Sequence, residues 1–559
     1  MDVIQVDSGG DERLDFLAGD KKDPDKRRIV YRVDQRPPVC LTLLLALQNA
    51  VTTVGGIVFV ANVLAPALCI LPEDPARAYL LSTAIMVAGI STLLQTILGV
   101  RLPIMQSSGF VYISFTLPIL NLEQWQCYSE VDLYSMGPEK RTLEWQLRVR
   151  YIQGAIISVG IVQMLLGYSG FVGKSLKYIT PLTVVPTMCI IGLTVIERGV
   201  SLMSGNWSTA LITILFLTFF SQYLRKVAIP LPFYSSSKGL FQVRLKIFAL
   251  FSILLSVGIM WIACVYMTSN NNLLPTDPAN TDSKSGVFHN SQIFRLPYPF
   301  QWGWPKFSLT SIMAMLPALF ISIVESVGNF YTCAKIANLK TPPANVVNRG
   351  IGVQGISSIL AGFLGIGSGV GVSSENVGNI GITQVCSRNV IVYAACLMIL
   401  ISPFTKLIAL LVTLPDPVLG AVTSVLLVLI TAVALSNLQF INLNSIRNMY
   451  ILGMSMFFGL TLPKYFLSVS VNNSLINTKY EMMNNIISVY LSSGMLIGGL
   501  IGFVLDNTIP DDEDQKLNGD AYQAADNKVK KSIDNENDQI YSISDRLYEK
   551  INYLLTFFV

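Results

Sequence analysis

The stretch Gly365-Ile366-Gly367-Ser368-Gly369-Val370-Gly371-Val372-Ser373-Ser374 decides how this chain is read. It is small and polar, yet apolar sequence flanks it on both sides. A shorter stretch of the same character, Met105-Gln106-Ser107-Ser108-Gly109-Phe110, lies in the N-terminal half. Inside a bilayer, non-helical backbone survives only where protein or a water-filled cavity satisfies its N–H and C=O groups. Composition puts both stretches in a membrane. Of 559 residues, 52% are hydrophobic and only 13% charged, with a mean hydropathy of +0.53. Soluble domains carry about 25% charged residues. A chain of this length with so little charge cannot cover a water-facing surface, so a soluble enzyme is excluded.

The net charge of +4 is small and scattered, which gives no reason to expect a nucleic-acid partner. The one histidine, His289, lies in a polar stretch and excludes a His-rich metal centre or histidine catalysis within the membrane. Eight cysteines are far apart and without CxxC spacing, so neither a zinc site nor a disulfide framework is expected.

A membrane helix needs about 20 apolar residues. Long apolar stretches run near 40–71, 79–99, 150–169, 175–197, 207–224, 245–267, 308–334, 390–413, 417–436, 446–465 and 486–505. Weaker, glycine-broken ones lie at 102–120, 350–366 and 367–384. The sum is an all-α polytopic membrane protein of about 14 spans over residues 40–505. A polar segment, 1–39, precedes it without the pattern of a signal peptide, and an acidic tail, 506–559, follows. The two broken stretches fall in spans 3 and 10, seven spans apart. Such paired interruptions point to inverted repeats with a binding site at the midplane. Glycine used only for close helix packing would account for one such span better than for two.

Lys and Arg bias sets the orientation. With the N-terminus inside, the even-numbered connections are cytoplasmic. They hold Lys174 and Lys177, then Arg225, Lys226, Lys238, Arg244 and Lys246, then Lys335, Lys340 and Arg349. Both termini are therefore expected in the cytoplasm, and the sequons at Asn206 and Asn472 outside.

Charge within the bilayer is costly and marks function by default. Away from span ends stand Glu325, in the eighth span, and Glu375, directly after the glycine-rich run. Asn329 follows Glu325 by four residues and shares its helix face; the plainer reading of Glu325 is a glutamate bonded to a neighbouring helix. Ser373 or Ser374 can cap the helix that begins there, which sets Glu375 and Asn376 beside its N-terminus. Carboxylates accept N–H donors and an amide both donates and accepts, an inventory suited to a neutral heterocycle with an N–H/C=O edge. Lys406, late in the eleventh span, is expected to snorkel outward. Gln48-Asn49 either lines the cavity or bonds between helices.

The segment Glu375-Asn376-Val377-Gly378-Asn379-Ile380-Gly381-Ile382-Thr383-Gln384 resembles the signature of the nucleobase–ascorbate transporter family at all but its last position. Tyr31-Arg32-Val33-Asp34, Arg101-Leu102-Pro103, Asn348-Arg349-Gly350 and Leu414-Pro415-Asp416-Pro417-Val418-Leu419-Gly420 resemble its animal branch. The likeness extends from about residue 30 to 505. It implies two inverted repeats of seven spans, a core (spans 1–4 and 8–11) and a gate (5–7 and 12–14), and often a homodimer. It also implies substrate binding between strand-like breaks in spans 3 and 10. By the same resemblance Glu325 holds the base, Glu375 is the variable first signature position, Asn376 supports it, and Phe110 contacts it through a backbone N–H beside Ser108. Asn329, Gln354, Gln48, Ser374 and Thr383 are expected in supporting or coupling positions. The first span carries Gln48-Asn49 where relatives often have Gln-His. Asn329 and Gln354 stand where relatives often carry an acid, which leaves few acids for cation coupling.

The leading expectation is a plasma-membrane nucleobase symporter using H+ or Na+, with no resident cofactor. An ascorbate transporter of the same family is the alternative, although its signature usually opens with Pro. An anion exchanger or channel would need a basic site that the sequence does not display, and a transport-dead scaffold draws only on the lost polar positions.

Overall fold

The computed structural model describes residues 4–7, residues 29–510 other than 236–238, 246, 275 and 471–477, and Tyr541. Apolar runs and their punctuation explain the helix ends. Helix α1 (Val39–Ala67) starts directly after Pro37-Pro38, where an extended Pro38 serves as N-cap, and it ends one residue after Pro66. Helix α2 is Ala76–Ile97. Strand β2 (Gln106–Ser108) leads through Gly109 into the short α3 (Phe110–Leu120). Helices α4 (Pro138–Tyr168) and α5 (Pro181–Met203) begin with proline, whose fixed φ and missing N–H cost nothing at a helix start. They are followed by α6 (Trp207–Thr218) and α7 (Ser252–Ser269).

The second half repeats the order of elements. Helix α8 is Leu309–Ile336, and α9 is Ala344–Leu364, which ends on a left-handed Gly365 at φ 75°. Strand β5 (Val370–Val372) leads into the short α10 (Ser374–Thr383). Then come α11 (Arg388–Ile401) and α12 (Thr405–Val412), bent by 98°. Helix α13 (Asp416–Ser436) and α14 (Ile446–Ser470) precede α15 (Glu481–Ser492) and α16 (Gly494–Thr508), bent by 78°. Among the described residues nine helices are long and apolar enough to cross a membrane, or eleven if each bent pair is one span. The other three expected spans correspond to α9 and to the two strand–helix units.

Packing joins distant parts of the chain: α4 lies against α9, and α2 against α11, while α5 packs on α13 and α16. Small residues permit this closeness. A Cβ at Gly355 would come within 2.4 Å of the Met164 backbone on α4, so the two helices touch backbone to backbone.

Two findings depart from the sequence reading. First, strands also form outside spans 3 and 10: in the sixth connection β3 (Ile229–Ser235) and β4 (Gly239–Leu245) pair antiparallel, and β1 (Ile4–Asp7) adds to β4. The fold is thus helical with a small sheet attached. Second, the expectation of no disulfide is corrected. Cys69, after α1, and Cys127, after α3, are bonded with their Cα atoms 5.6 Å apart. They are 58 residues apart in sequence and meet only because the two connections emerge on one face.

Candidate functional site

The two broken stretches pair with each other. Strands β2 and β5 run antiparallel, with Gln106 opposite Val372, Ser107 opposite Gly371 and Ser108 opposite Val370. Gly109 N–H donates to Gly369 O at 2.9 Å and Ser373 N–H to Met105 O at 3.0 Å, which extends the pairing at each end. Here the glycines are structural necessities. Gly367 has φ 74°, and a Cβ at Gly369 would sit 2.6 Å from the Tyr112 ring.

Because α3 begins two residues after β2 and α10 two residues after β5, the N-termini of both half-helices meet at the strand pair. The first N–H groups of each helix have no intrahelical partner, and each end carries about half a positive charge. Glu325 and Glu375, 3% and 2% exposed, set a carboxyl group beside them. Both are built alike. One oxygen of each is held by serine: Ser374 Oγ donates to Glu325 Oε1 at 3.5 Å, and Ser373 Oγ to Glu375 Oε2 at 2.7 Å. The other oxygen faces a glycine. A Cβ on Gly371 would lie 3.9 Å from Glu325 Oε2, and one on Gly56 of α1 would lie 3.1 Å from Glu375 Oε1.

The remaining expected residues divide. Phe110 starts α3, its ring 6.1 Å from that of Phe59 and 3.7 Å from the same Gly56 position, so it borders Glu375. Asn376 spends its amide N–H groups on Thr53 Oγ1 and Ser373 Oγ, the latter at 2.9 Å, and its Oδ1 is buried without a partner. Ser108 Oγ is likewise buried and unpartnered. Asn329 Nδ2 donates to Ser374 Oγ at 2.9 Å, which makes a chain Asn329–Ser374–Glu325 on one side of the site. Ser373 is the N-cap of α10 but makes no capping bond, because its hydroxyl turns to Glu375 instead.

Others stand apart. Gln354 is fully engaged: its Nε2 donates to Ser322 Oγ at 2.9 Å and Val370 O at 3.1 Å, and its Oε1 accepts from Ser326 at 2.7 Å. It clamps β5 to α8. Gln48 lies on α1 eight residues before Gly56, about 12 Å along the helix, in a cleft with Thr52, Phe251 and Asn379. Thr383, at the far end of α10, accepts from Val385 N–H. Lys406 Nζ lies 5.1 Å from the Phe288 ring centroid, in the connection before α8 and away from the carboxylates. Asn206 caps α6 by accepting from Thr209 N–H and donates to Asp277, so its side chain is engaged; Asn472 lies outside the described residues.

Sequence reasoning missed Gly56, Thr53 and Tyr112. Thr52-Thr53 and Gly55-Gly56 interrupt an otherwise apolar run and were the available signal. Tyr112 is fully buried and donates to Gln163 Oε1 at 3.1 Å, a contact across 51 residues that no local pattern reveals.

Long apolar helices packed around a pair of broken spans, with buried carboxylates at the break, define a multi-pass membrane permease. The Permease family model matches residues 41–468. Mouse solute carrier family 23 member 1 is 40% identical over 91% of this chain and 85% of its own length. Human solute carrier family 23 member 2 is 40% identical over 87% and 76%, and Arabidopsis thaliana nucleobase-ascorbate transporter 1 is 34% identical over 88% and 91%. Among solved structures, murine Slc26a9, an anion transporter in the inward-facing state, aligns at a TM-score of 0.51 and 15% identity over 80% of this chain and 68% of its own, a likeness of fold. The chain belongs to the nucleobase–ascorbate transporter family and is a transporter, not an enzyme.

Proposed function

We propose that the chain carries nucleobases into the cell together with a cation, by alternating access. The observation that carries this reading is the paired carboxylates. Two helix ends bring about one positive charge in total, while ionised Glu325 and Glu375 would bring two negative ones. The balance favours a neutral ligand whose N–H groups Glu325 Oε2 and Glu375 Oε1 accept. Asn376 Oδ1 and Ser108 Oγ, buried and unpartnered, supply further polar contacts; buried polar groups ordinarily find a partner. Helices α1–α4 and α8–α12 form the core that carries the site, and α5–α7 with α13–α16 form the gate.

The Cys69–Cys127 bond supports an orientation with both termini in the cytoplasm. Disulfides persist in oxidising surroundings, and the first and third connections are outside when the N-terminus is inside. The same reading puts the protein in the plasma membrane.

Ascorbate is the second reading, supported by the resemblance to the animal branch. An anion would meet two carboxylates, which weighs against it. A proton is the preferred coupling ion, since a carboxyl group taken out of water takes up a proton readily and needs no cage of oxygen ligands. Uptake of uracil, xanthine, hypoxanthine, adenine and ascorbate, each with and without sodium, tests the proposal. Saturable uptake of at least one base and none of ascorbate is the expected result; uptake of ascorbate alone overturns it.

A further inference from the structure

Away from the strand pair, three arginines gather where α2, α9 and α11 meet. Arg101 follows α2 in the left-handed region at φ 62°, Arg349 belongs to α9, and Arg388 opens α11. Arg349 Nε donates to Gly99 O at 2.8 Å, which ties α9 to the end of α2. Arg101 Nε and Nη1 are buried without a hydrogen-bond partner. Burial, together with the positive charges of Arg388 and Arg349, pulls the Arg101 guanidinium down to about 10. Asp34 faces Arg388. Among the described residues the patch is thus short of negative charge.

Tyr541 is seated at its edge. The residue is 5% exposed and joins the principal apolar core. Its hydroxyl donates to Lys340 O at 2.8 Å, and its carbonyl accepts from Arg349 Nη2 at 2.9 Å. Between 511 and 559 the chain has eleven acidic residues against six basic ones. From Thr508, the end of α16, to Tyr541 there are 33 residues, which extended span up to about 110 Å.

We propose that the acidic C-terminal tail docks in cis on the Arg101–Arg349–Arg388 patch, with Tyr541 as its anchor. The anchor gives position and the acids answer the arginines. Arg349 bonds at once to Gly99 and to Tyr541, so docking braces the end of α2 and the start of α9 against each other.

Hydrogen–deuterium exchange on the full-length protein, in nanodiscs of neutral phosphatidylcholine, tests this, and its readout does not depend on any substrate. Tyr541→Ala should speed exchange in the α8–α9 connection by about fivefold or more, the effect of losing a buried ring and its contacts. Tyr541→Phe, which keeps the ring and the carbonyl, should do so less. Arg101→Gln with Arg388→Gln should speed it by about fivefold. Unchanged exchange in Tyr541→Ala overturns the docking. An arginine effect seen only when phosphatidylserine is added also overturns it and assigns the patch to lipid headgroups.

Discussion

Replacing Glu325 by Gln keeps shape and volume and removes the charge. The side chain is 3% exposed; Ser374 Oγ donates to its Oε1, and Oε2 faces the bare backbone of Gly371. A glutamine keeps an acceptor for Ser374 but turns an NH2 group toward the position where the substrate N–H is expected. Two donors then confront each other in a site closed to water. Truncating one member of a desolvated, charged hydrogen bond costs about 2–5 kcal/mol, which is roughly 30-fold to several thousand-fold in affinity. Because Ser374 and Asn329 keep their contacts, folding should survive. The assay is initial uptake of labelled base well below half-saturation, normalised to surface biotinylation. Uptake within threefold of wild type, at equal surface density, would refute the role of Glu325 as the anchor.

Glu375→Pro should abolish base uptake, since it removes the acceptor and the Ser373 bond, whereas Glu375→Gln should retain part of it; equal uptake by both would make the residue merely structural. Gly56→Ala puts a methyl group 3.1 Å from Glu375 Oε1, and overpacking of about 1–2 kcal/mol should weaken apparent affinity by about tenfold, read as a raised half-saturation concentration with surface density unchanged. The Lys284–Asp416 pair, 7% and 31% exposed, joins the connection before α8 to the start of α13, while Lys464–Glu197 is 67% and 62% exposed. Lys284→Ala should therefore lower thermal stability in detergent clearly, by more than 1 kcal/mol, and Lys464→Ala by less than that; equal shifts would contradict the burial argument. Uptake should rise as external pH falls at fixed sodium and stay flat as sodium varies at fixed pH; a steep sodium dependence at constant pH would defeat proton coupling.

Local chemistry was enough to locate the paired strands. The run Gly365–Ser374 and its shorter counterpart Met105–Phe110 had to leave the helix, because glycine and serine in that density neither favour a helix nor satisfy lipid. Glu325 and Glu375 announced themselves by the cost of charge in hydrocarbon. What the sequence could not determine was which oxygen of each carboxylate turns to serine and which to glycine, because that depends on Ser373, Ser374, Gly371 and Gly56, brought together from three elements. Gln354 shows the same limit: by position it was a candidate for coupling, yet the fold spends every polar atom of its side chain on Ser322, Ser326 and Val370. The Cys69–Cys127 bond and the Tyr541 contact are of this kind too, since 58 residues in one case and 192 in the other, from Arg349, separate the partners. Burial costs and backbone preferences are properties of short segments and can be read in order along the chain. Partner choice is a property of distance in space, and only the folded arrangement of α1, α8, β5 and α10 sets those distances.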